Sequence, residues 1–224
     1  MSPQLALDFE HRPAFSREDF VVASANRDAV AWIDRWPDWQ AVGTIVVGPP
    51  ACGKSHLSNV WQTKSGAARF ELRGLETEQA DAIVDANTTL VIEGLDRGAS
   101  LAAETTLLHV INLLGERRGS LLATSRKAPV AVQFTLADLA SRIRAFPVLT
   151  LREPDDGLLE AVLRKHFSDR QLTVGADVIR YLIRYGERSF AAAKQAVQRV
   201  DEAALQRKRQ ISIALAKEIL EGTD

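Results

Sequence analysis

The chain has 224 residues, of which 46% are hydrophobic and 25% are charged, as is ordinary for a globular protein. Its net charge of −1 gives no overall basic surface of the kind that nucleic-acid binding usually needs. One cysteine excludes a disulfide framework, and neither a signal sequence nor an apolar run of membrane-spanning length is recognisable. We therefore expect a cytoplasmic protein that has no membrane partner.

Residues 1–11 precede any predicted element that could join a core, yet they contain Leu5, Leu7 and Phe9. The alternation of apolar residues is compatible with a short edge strand. A docking peptide is the alternative, because these side chains could fill an apolar pocket of a partner while Gln4 hydrogen-bonds at its rim.

The next predicted element is a helix at about Arg27–Asp34. Trp32, Trp36 and Trp39 cluster around its end. Their spacing favours a helix end that packs on the core over a platform on which nucleic-acid bases stack.

A phosphate-binding loop is the firmest prediction. A buried strand at Thr44–Val47 leads into Gly48–Ser55, which fits the pattern G-x-x-x-x-G-K-[ST], and a helix follows from Lys54 to about Thr63. Lys54 would reach the β- and γ-phosphates of a nucleotide, and the Ser55 hydroxyl would ligate Mg²⁺. A chance glycine-rich turn is the weaker alternative, and Cys52 is predicted to be a small loop residue and not a nucleophile.

A second buried strand, Thr88–Glu93, ends where phosphate-loop proteins carry the acid that lies beside Mg²⁺. Glu93 is the candidate for this Walker B position, and Asp96 is the nearest alternative carboxylate. The residue after Glu93, where a second acid often activates water, is Gly94. The alternative is that Glu93 only ends the strand.

Further elements continue the alternation of strands and helices. Leu101–Leu114 has helical spacing, with Leu101 among the residues assigned to its buried face. The strand Gly119–Ser125 ends in Thr124 and Ser125, which are candidate sensors of the γ-phosphate, although Ser/Thr turn chemistry explains them nearly as well. With a last strand at Val148–Leu151, the pattern predicts an α/β fold with a parallel sheet covered on both faces.

After Pro154 the pattern becomes entirely helical. The predicted helices are at about 156–167, 176–185, 189–207 and 212–220. We therefore expect three segments, namely a terminal peptide at 1–11, a nucleotide-binding core at 12–152 and a small helical domain at 153–224. Arg188, at the start of the long helix, could reach back to the nucleotide.

This plan resembles that of the AAA+ proteins, in which a phosphate-loop core precedes a helical lid. Four segments are similar to the ATPase region of DnaA, the initiator of bacterial replication: 53–57 (Gly-Lys-Ser-His-Leu), 124–125 (Thr-Ser), 138–142 (Asp-Leu-Ala-Ser-Arg) and 186–188 (Gly-Glu-Arg). The resemblance covers about residues 14–221. It departs from DnaA in lacking the DNA-binding helix-turn-helix domain, in Glu93–Gly94, and in Arg126, where DnaA has an acid.

The resemblance implies particular binding roles. Gln4, Leu5, Leu7 and Phe9 are similar to the peptide by which bacterial proteins bind the DNA polymerase III sliding clamp. The nucleotide, ADP or ATP, with Mg²⁺ through Ser55, would contact Phe20, Val21, Val22, Gly48, Pro50, Ala51, Cys52, Gly53, Lys54, Ser55, His56 and Arg188. Such relatives favour ADP.

It also implies a role in trans for Arg142, as an arginine finger inserted into the nucleotide site of a neighbouring DnaA bound to ATP. For Arg144 we expect a structural ion pair instead. The implied function is that of a clamp-tethered AAA+ regulator, replisome-associated, which stimulates ATP hydrolysis by DnaA and prevents re-initiation while having weak or no ATPase activity itself. An autonomous AAA+ loader or motor is the alternative, and a DNA-binding initiator fragment is weaker still. A homodimer is compatible with the sequence, although no residue demonstrates one.

Overall fold

We analysed a computed structural model of the chain, which describes Val22 and residues 26–75, 80–207 and 209–222. The predicted docking peptide at 1–11, together with Phe20 and Val21, lies outside the described residues. In chain order the helices and strands are α1 (Arg27–Asp34), β1 (Gly43–Val47), α2 (Lys54–Ser65), β2 (Ala68–Glu71), α3 (Ala80–Ala86), β3 (Thr89–Glu93), α4 (Leu101–Glu116), β4 (Ser120–Ser125), α5 (Ala137–Arg144), β5 (Val148–Thr150), α6 (Asp156–Asp169), α7 (Ala176–Tyr185), α8 (Phe190–Arg207) and α9 (Ile213–Glu221).

The strands form a parallel sheet in the order β2-β3-β4-β1-β5. β1 lies between β4 and β5, with Val46 beside Thr124 and Leu149. Because the strands are parallel, the segments that follow β1, β3 and β4 meet at one edge of the sheet, which we call the carboxyl edge. The prediction of a parallel α/β sheet is confirmed.

Alternate residues of each strand face opposite layers of helices, as the period of two in a strand requires. Ile45 and Ile92 join a buried cluster with residues of α3, α4 and α5. Val46 and Val91 join a second cluster with residues of α1 and α2. The sheet is therefore covered on both faces, as predicted.

The tryptophans pack as a group on the α1–α2 face of the sheet. Trp39 stacks on Trp61 of α2 with ring centroids 5.3 Å apart, and Trp36 meets Trp61 edge-on at 6.1 Å. The indole N–H of Trp32 donates to Thr44 Oγ1 at 3.0 Å. These contacts agree with the prediction that the end of α1 packs on the core.

Helices α6 to α9 have a hydrophobic cluster of their own, which includes Leu163, Phe167, Ile179 and Val197. Asp155 begins this unit as the N-cap of α6, where its side chain accepts a hydrogen bond from the Leu158 amide at 2.8 Å. No helix in the described part of the chain combines the length and the apolarity that a membrane span needs.

One expectation about α4 is wrong. The helical spacing places Leu101 on the buried face, but Leu101 is 54% exposed. It occupies the first position of α4, directly after the N-cap Ser100, whose hydroxyl accepts from the Ala103 amide at 3.1 Å. The first turn of the helix extends beyond the covering layer, and burial begins at Ala103.

Candidate nucleotide site and the exposed arginine face

The phosphate loop, Gly48–Ser55, joins β1 to α2 at the carboxyl edge of the sheet. Gly48 is required there by close packing, because a Cβ atom at this position would lie 2.5 Å from the Leu151 carbonyl oxygen and 2.6 Å from Cys52 Sγ. The N-cap of α2 is Gly53, so the amides of the first turn point into the loop. A helix N-terminus of this kind carries partial positive charge and favours an anion.

Lys54 lies inside the loop. Its Nζ atom donates to the carbonyl oxygens of Gly48 at 2.8 Å and Pro49 at 2.6 Å. Ser55 follows on the exposed side of the first turn of α2. The loop therefore brings an ammonium group, a hydroxyl and a helix N-terminus together, which is the donor set that a polyphosphate requires.

Cys52 is buried within the loop, with its Sγ atom 3.8 Å from Lys54 Nζ. Burial raises the pKa of the Cys52 thiol, and the neighbouring Lys54 offsets that increase only in part. The group stays a thiol at neutral pH. Cys52 is thus a buried, protonated residue of the loop.

Thr124 and Ser125 end β4 next to the phosphate loop. Thr124 Oγ1 accepts from the Gly94 amide at 3.3 Å, and the Ser125 carbonyl accepts from the Gly48 amide at 3.2 Å. The Ser125 hydroxyl donates to the Lys127 carbonyl at 2.6 Å. The structure thus brings both candidate sensors to the site, with Ser125 also engaged in turn chemistry.

Glu93 ends β3 at the same edge, and its carboxylate is paired with the guanidinium of Arg69 from β2. The next residue, Gly94, has a φ of +75°, a backbone conformation that L side chains rarely adopt. An acid in that position would be strained, which gives a physical reason for its replacement by glycine. The end of β3 therefore carries one acid, Glu93, where many ATPases have two, and Glu93 is paired with Arg69.

Asp96, the alternative carboxylate, is also engaged. It accepts from the Arg126 amide at 2.8 Å and from Arg126 Nε at 2.8 Å. Burial by itself raises the pKa of Asp96, but the hydrogen bonds and charge of Arg126 outweigh it and hold the pKa below its ordinary value. Arg126, which follows Thr124 and Ser125, is therefore held by Asp96.

The helical unit contacts this site through the start of α8. A Cβ atom at Gly53 would lie 3.3 Å from the Phe190 ring, so this ring covers the phosphate loop. Arg188, predicted to hold phosphate, pairs with Asp156 at the start of α6 at 2.6 Å and is half-exposed. The sequence offered no signal for Phe190, because an aromatic residue in a helix does not reveal which element it packs against.

Arg142 lies on the exposed side of α5, away from this site. The carboxyl end of α5 is beside the beginning of β1, because Phe146 packs against Gly43 and Val148 aligns with Ile45. The phosphate loop follows the other end of β1, about 13 Å away at the usual rise of a strand. Arg142 therefore lies near the beginning of β1, at the opposite end of this strand from the phosphate loop.

No residue in the described ranges forms an ion pair or a hydrogen bond with the Arg142 guanidinium. It borders a cleft lined by Ala41, Val42, Ile111 and Phe146. Arg144 also has no ion-pair partner among the residues that the structure describes, so the predicted structural ion pair is not observed there. Both arginines are exposed to solvent near the end of α5.

Comparison with known proteins gives two findings. Residues 155–220 match the family model described as Hda, lid domain. Domain III of the replication initiation protein DnaA from Thermotoga maritima superimposes with a TM-score of 0.77 at 16% identity, covering 94% of this chain and 97% of that one. The chain therefore has the AAA+ fold of DnaA domain III, and its helical unit is similar to the Hda lid domain. The resemblance and the fold predicted from the sequence are confirmed.

Other AAA+ structures also share this fold. DnaA from Aquifex aeolicus bound to AMPPCP has a TM-score of 0.69 at 15% identity, covering 88% of this chain and 68% of that one. The Thermotoga maritima RuvB branch migration motor has a TM-score of 0.67 at 16% identity, covering 80% and 61% respectively. A search of the curated proteins found no match.

Glu104 is a positioning residue of this AAA+ core that the sequence reasoning missed. It is only 2% exposed, and its carboxylate accepts from the amides of Thr135 at 3.1 Å and Leu136 at 2.8 Å. Leu136 is the N-cap of α5 and supplies no side-chain cap of its own. Glu104 on α4 therefore fixes the start of the helix that carries Arg142.

Replacing Glu104 by alanine is expected to lower the free energy of unfolding by about 1–3 kcal/mol, because two part-buried amides lose their acceptor. Equilibrium unfolding in urea measures this change. The matched control is Glu116→Ala, which removes an exposed carboxylate from the same helix and should shift stability by no more than about 0.5 kcal/mol. Equal stability of the two variants would contradict the positioning role.

Proposed function

We propose that this protein is a clamp-tethered regulator that stimulates ATP hydrolysis by the initiator DnaA and thereby prevents re-initiation of replication. The observation that supports the proposal most directly is the placement of Arg142. The guanidinium is exposed, has no partner in the described part of the chain, and lies at the opposite edge of the sheet from its own phosphate loop. It is available to a nucleotide only when that nucleotide is bound to another molecule.

In this proposal Arg142 approaches the phosphates of ATP bound to DnaA. Its planar fork donates hydrogen bonds to the oxygens on which charge develops as the γ-phosphoryl group is transferred. The Hda lid and the DnaA-like fold support a protein that assembles beside DnaA as one AAA+ unit beside another. DnaA would be left bound to ADP.

We further propose that the phosphate loop of this protein holds ADP, or ATP, as a structural ligand. The glycine-rich loop, the Lys54 ammonium and the N-terminus of α2 are the groups that would hold its phosphates, and Arg188 would join them from the lid. Structures of DnaA with AMPPCP support an adenine nucleotide. Val22, which is 43% exposed, would contribute with Phe20 and Val21 to the base site.

Weak hydrolysis by this protein itself follows from the acids at the carboxyl edge. Glu93 is paired with Arg69, Asp96 is paired with Arg126, and Gly94 supplies no side chain. A general base that activates water must be free to accept its proton. We therefore place the relevant hydrolysis in DnaA and not in this chain.

The tether of this proposal is the peptide at 1–11, with Gln4, Leu5, Leu7 and Phe9 bound to the DNA polymerase III sliding clamp in the bacterial cytoplasm. The core at 12–152 and the lid at 153–224 would then be held near DnaA at the replisome. Tethering raises the effective concentration of one partner beside the other. Stimulation should consequently depend on the clamp most strongly when both proteins are dilute.

Reconstituted hydrolysis tests the proposal. Release of phosphate from DnaA bound to ATP is measured with this protein, DNA and loaded clamp all present, and again with each omitted. With both proteins dilute, we expect stimulation only in the complete mixture, and its loss when Gln4 and Leu5 are both changed to alanine. Steady hydrolysis by the isolated protein would support the autonomous motor instead, and unchanged DnaA hydrolysis in the complete mixture would refute the regulator.

A further inference from the structure

Arg69 and Glu93 meet on the face of the sheet that α2 covers. Arg69 of β2 aligns with Val91 of β3, and Glu93 is two residues further along β3. Residues two apart in a strand share a face, and Val91 belongs to the cluster with α2. The Arg69 side chain therefore runs beneath the phosphate-loop helix towards the carboxyl edge, where it reaches Glu93.

The Arg69 guanidinium is surrounded by oxygen acceptors. Besides the Glu93 carboxylate, it donates to Asn59 Oδ1 and, at 3.1 and 2.9 Å, to Gln62 Oε1. The Arg69 and Glu93 side chains are 26% and 18% exposed, so water screens the pair only in part. Asn59 lies one helical turn after Ser55 on α2. The fixed positive charge of Arg69 thus lies one turn below the phosphate loop.

This arrangement does not fit a resident Mg²⁺ ion. Mg²⁺ is usually bound through one or two carboxylates together with substrate phosphates. Glu93, the acid at the position that would serve, is already neutralised by Arg69, and Asp96 is held by Arg126. No group of three or more metal-ligating side chains occurs among the residues that the structure describes. Ser55 would be the remaining protein ligand.

We infer that Arg69 takes the place of a divalent cation beside Glu93, and that the site accepts a nucleoside diphosphate in its metal-free form. The inference rests on the proposed nucleotide binding and deepens it. A metal-free diphosphate carries more negative charge than its Mg²⁺ complex, and Lys54 and the N-terminus of α2 supply the opposite charge. Because Mg²⁺ would gain no free carboxylate from the protein, its presence should change nucleotide affinity little.

The test compares ADP affinity in millimolar Mg²⁺ with that in EDTA, by calorimetric titration of the full chain. For the wild type we expect the two dissociation constants to agree within about threefold. Arg69→Gln frees Glu93, so Mg²⁺ should then strengthen ADP binding by about tenfold or more. The double variant Arg69→Gln with Glu93→Gln should lose that dependence, because the freed carboxylate is gone.

Arg97→Gln is the matched control. Arg97 pairs at 3.2 Å with Glu71, which ends β2 beside Glu93 in the same sheet, but this pair is exposed. Its removal should leave ADP binding independent of Mg²⁺. Mn²⁺ provides a second readout through its electron paramagnetic resonance signal. The wild-type complex with ADP should retain Mn²⁺ no better than ADP does in solution, and the Arg69→Gln complex should retain it better.

A loss of wild-type ADP affinity of about tenfold in EDTA would overturn the inference, as would an Arg69→Gln variant that resembles the wild type. If Arg69→Gln does not fold, Glu93→Gln provides the test. ADP binding by this variant should be as independent of Mg²⁺ as that of the wild type. If the wild type depends on Mg²⁺ and Glu93→Gln removes that dependence, the inference is wrong. Absence of ADP binding in both buffers would overturn the proposed nucleotide site itself, whereas Mg²⁺-dependent binding overturns the role of Arg69 alone.

Discussion

Changing Arg142 to alanine is expected to lower the stimulated hydrolysis of ATP by DnaA by about 10³–10⁵-fold, the range over which arginine fingers act in other nucleotide hydrolases. The physical reason is that alanine offers no cation and no donors to the charge that develops on the transferred phosphoryl group. Single-turnover release of phosphate by DnaA, with clamp and DNA present, measures the change. The variant should still bind the clamp and ADP.

The folded state should tolerate this substitution. Arg142 is exposed and has no partner among the described residues, so its removal should change the free energy of unfolding by no more than about 0.5 kcal/mol. Arg142→Lys keeps the charge but not the planar fork, and should recover only part of the rate. Measuring the free energy of unfolding of each variant, together with its stimulation rate, distinguishes loss of the arginine finger from loss of folding.

Arg144→Ala is the matched control for this experiment. Both arginines are exposed near the end of α5, but two positions along a helix turn a side chain by about 200°, so they point in different directions. Only Arg142 borders the cleft with Ile111 and Phe146. We expect Arg144→Ala to retain stimulation. Equal losses in the two variants would indicate a general basic surface, and full activity of Arg142→Ala would reject the finger.

The placement of the main elements could be predicted because local patterns determine it. Buried β-branched runs alternate with amphipathic helices, and this order imposes a parallel sheet whose carboxyl ends meet. The phosphate loop could be predicted because local geometry requires its glycines, as the φ of +98° at Gly53 illustrates. α1 and α7 also have the predicted bounds, Arg27–Asp34 and Ala176–Tyr185.

The partners of charged side chains could not be predicted in the same way. Arg69 reaches Glu93 from the neighbouring strand, and Arg126 reaches Asp96 across the ends of β3 and β4. Glu104 meets the start of α5, about 30 residues later in the chain. Such pairings depend on strand register and helix packing, so a sequence reveals the acids and leaves their partners unknown.

The partners found for the acids change the interpretation of the nucleotide site. Glu93 was a candidate Walker B acid by its position at the end of β3, and the structure keeps it at that position. The sequence shows that the second acid is missing, because Gly94 follows Glu93. The structure adds that Glu93 itself is engaged in an ion pair with Arg69. The loop can hold phosphate, and the nearby acids are already paired. These two features favour retention of a nucleotide over its hydrolysis.

Changing Lys54 to alanine is expected to weaken ADP binding by about 100-fold, equivalent to about 2.7 kcal/mol. Lys54 Nζ lies within the loop and contacts the Gly48 and Pro49 carbonyls, so it supplies the central cation to a bound phosphate. ADP at about 100 times the wild-type dissociation constant should stabilise the wild type by about 2.7 kcal/mol and the variant by about 0.4 kcal/mol. Urea unfolding with and without ADP measures both values.

The matched control is Lys64→Ala, which removes a lysine from the other end of α2. Lys64 Nζ donates to the Asp34 carbonyl at 2.8 Å, so both lysines bond main-chain oxygens, but only Lys54 does so inside the phosphate loop. Lys64→Ala should keep the full stabilisation by ADP. If Lys54→Ala keeps it as well, nucleotide binds elsewhere. If Lys54→Ala loses ADP and still stimulates DnaA through Arg142, the nucleotide is not needed to present the finger.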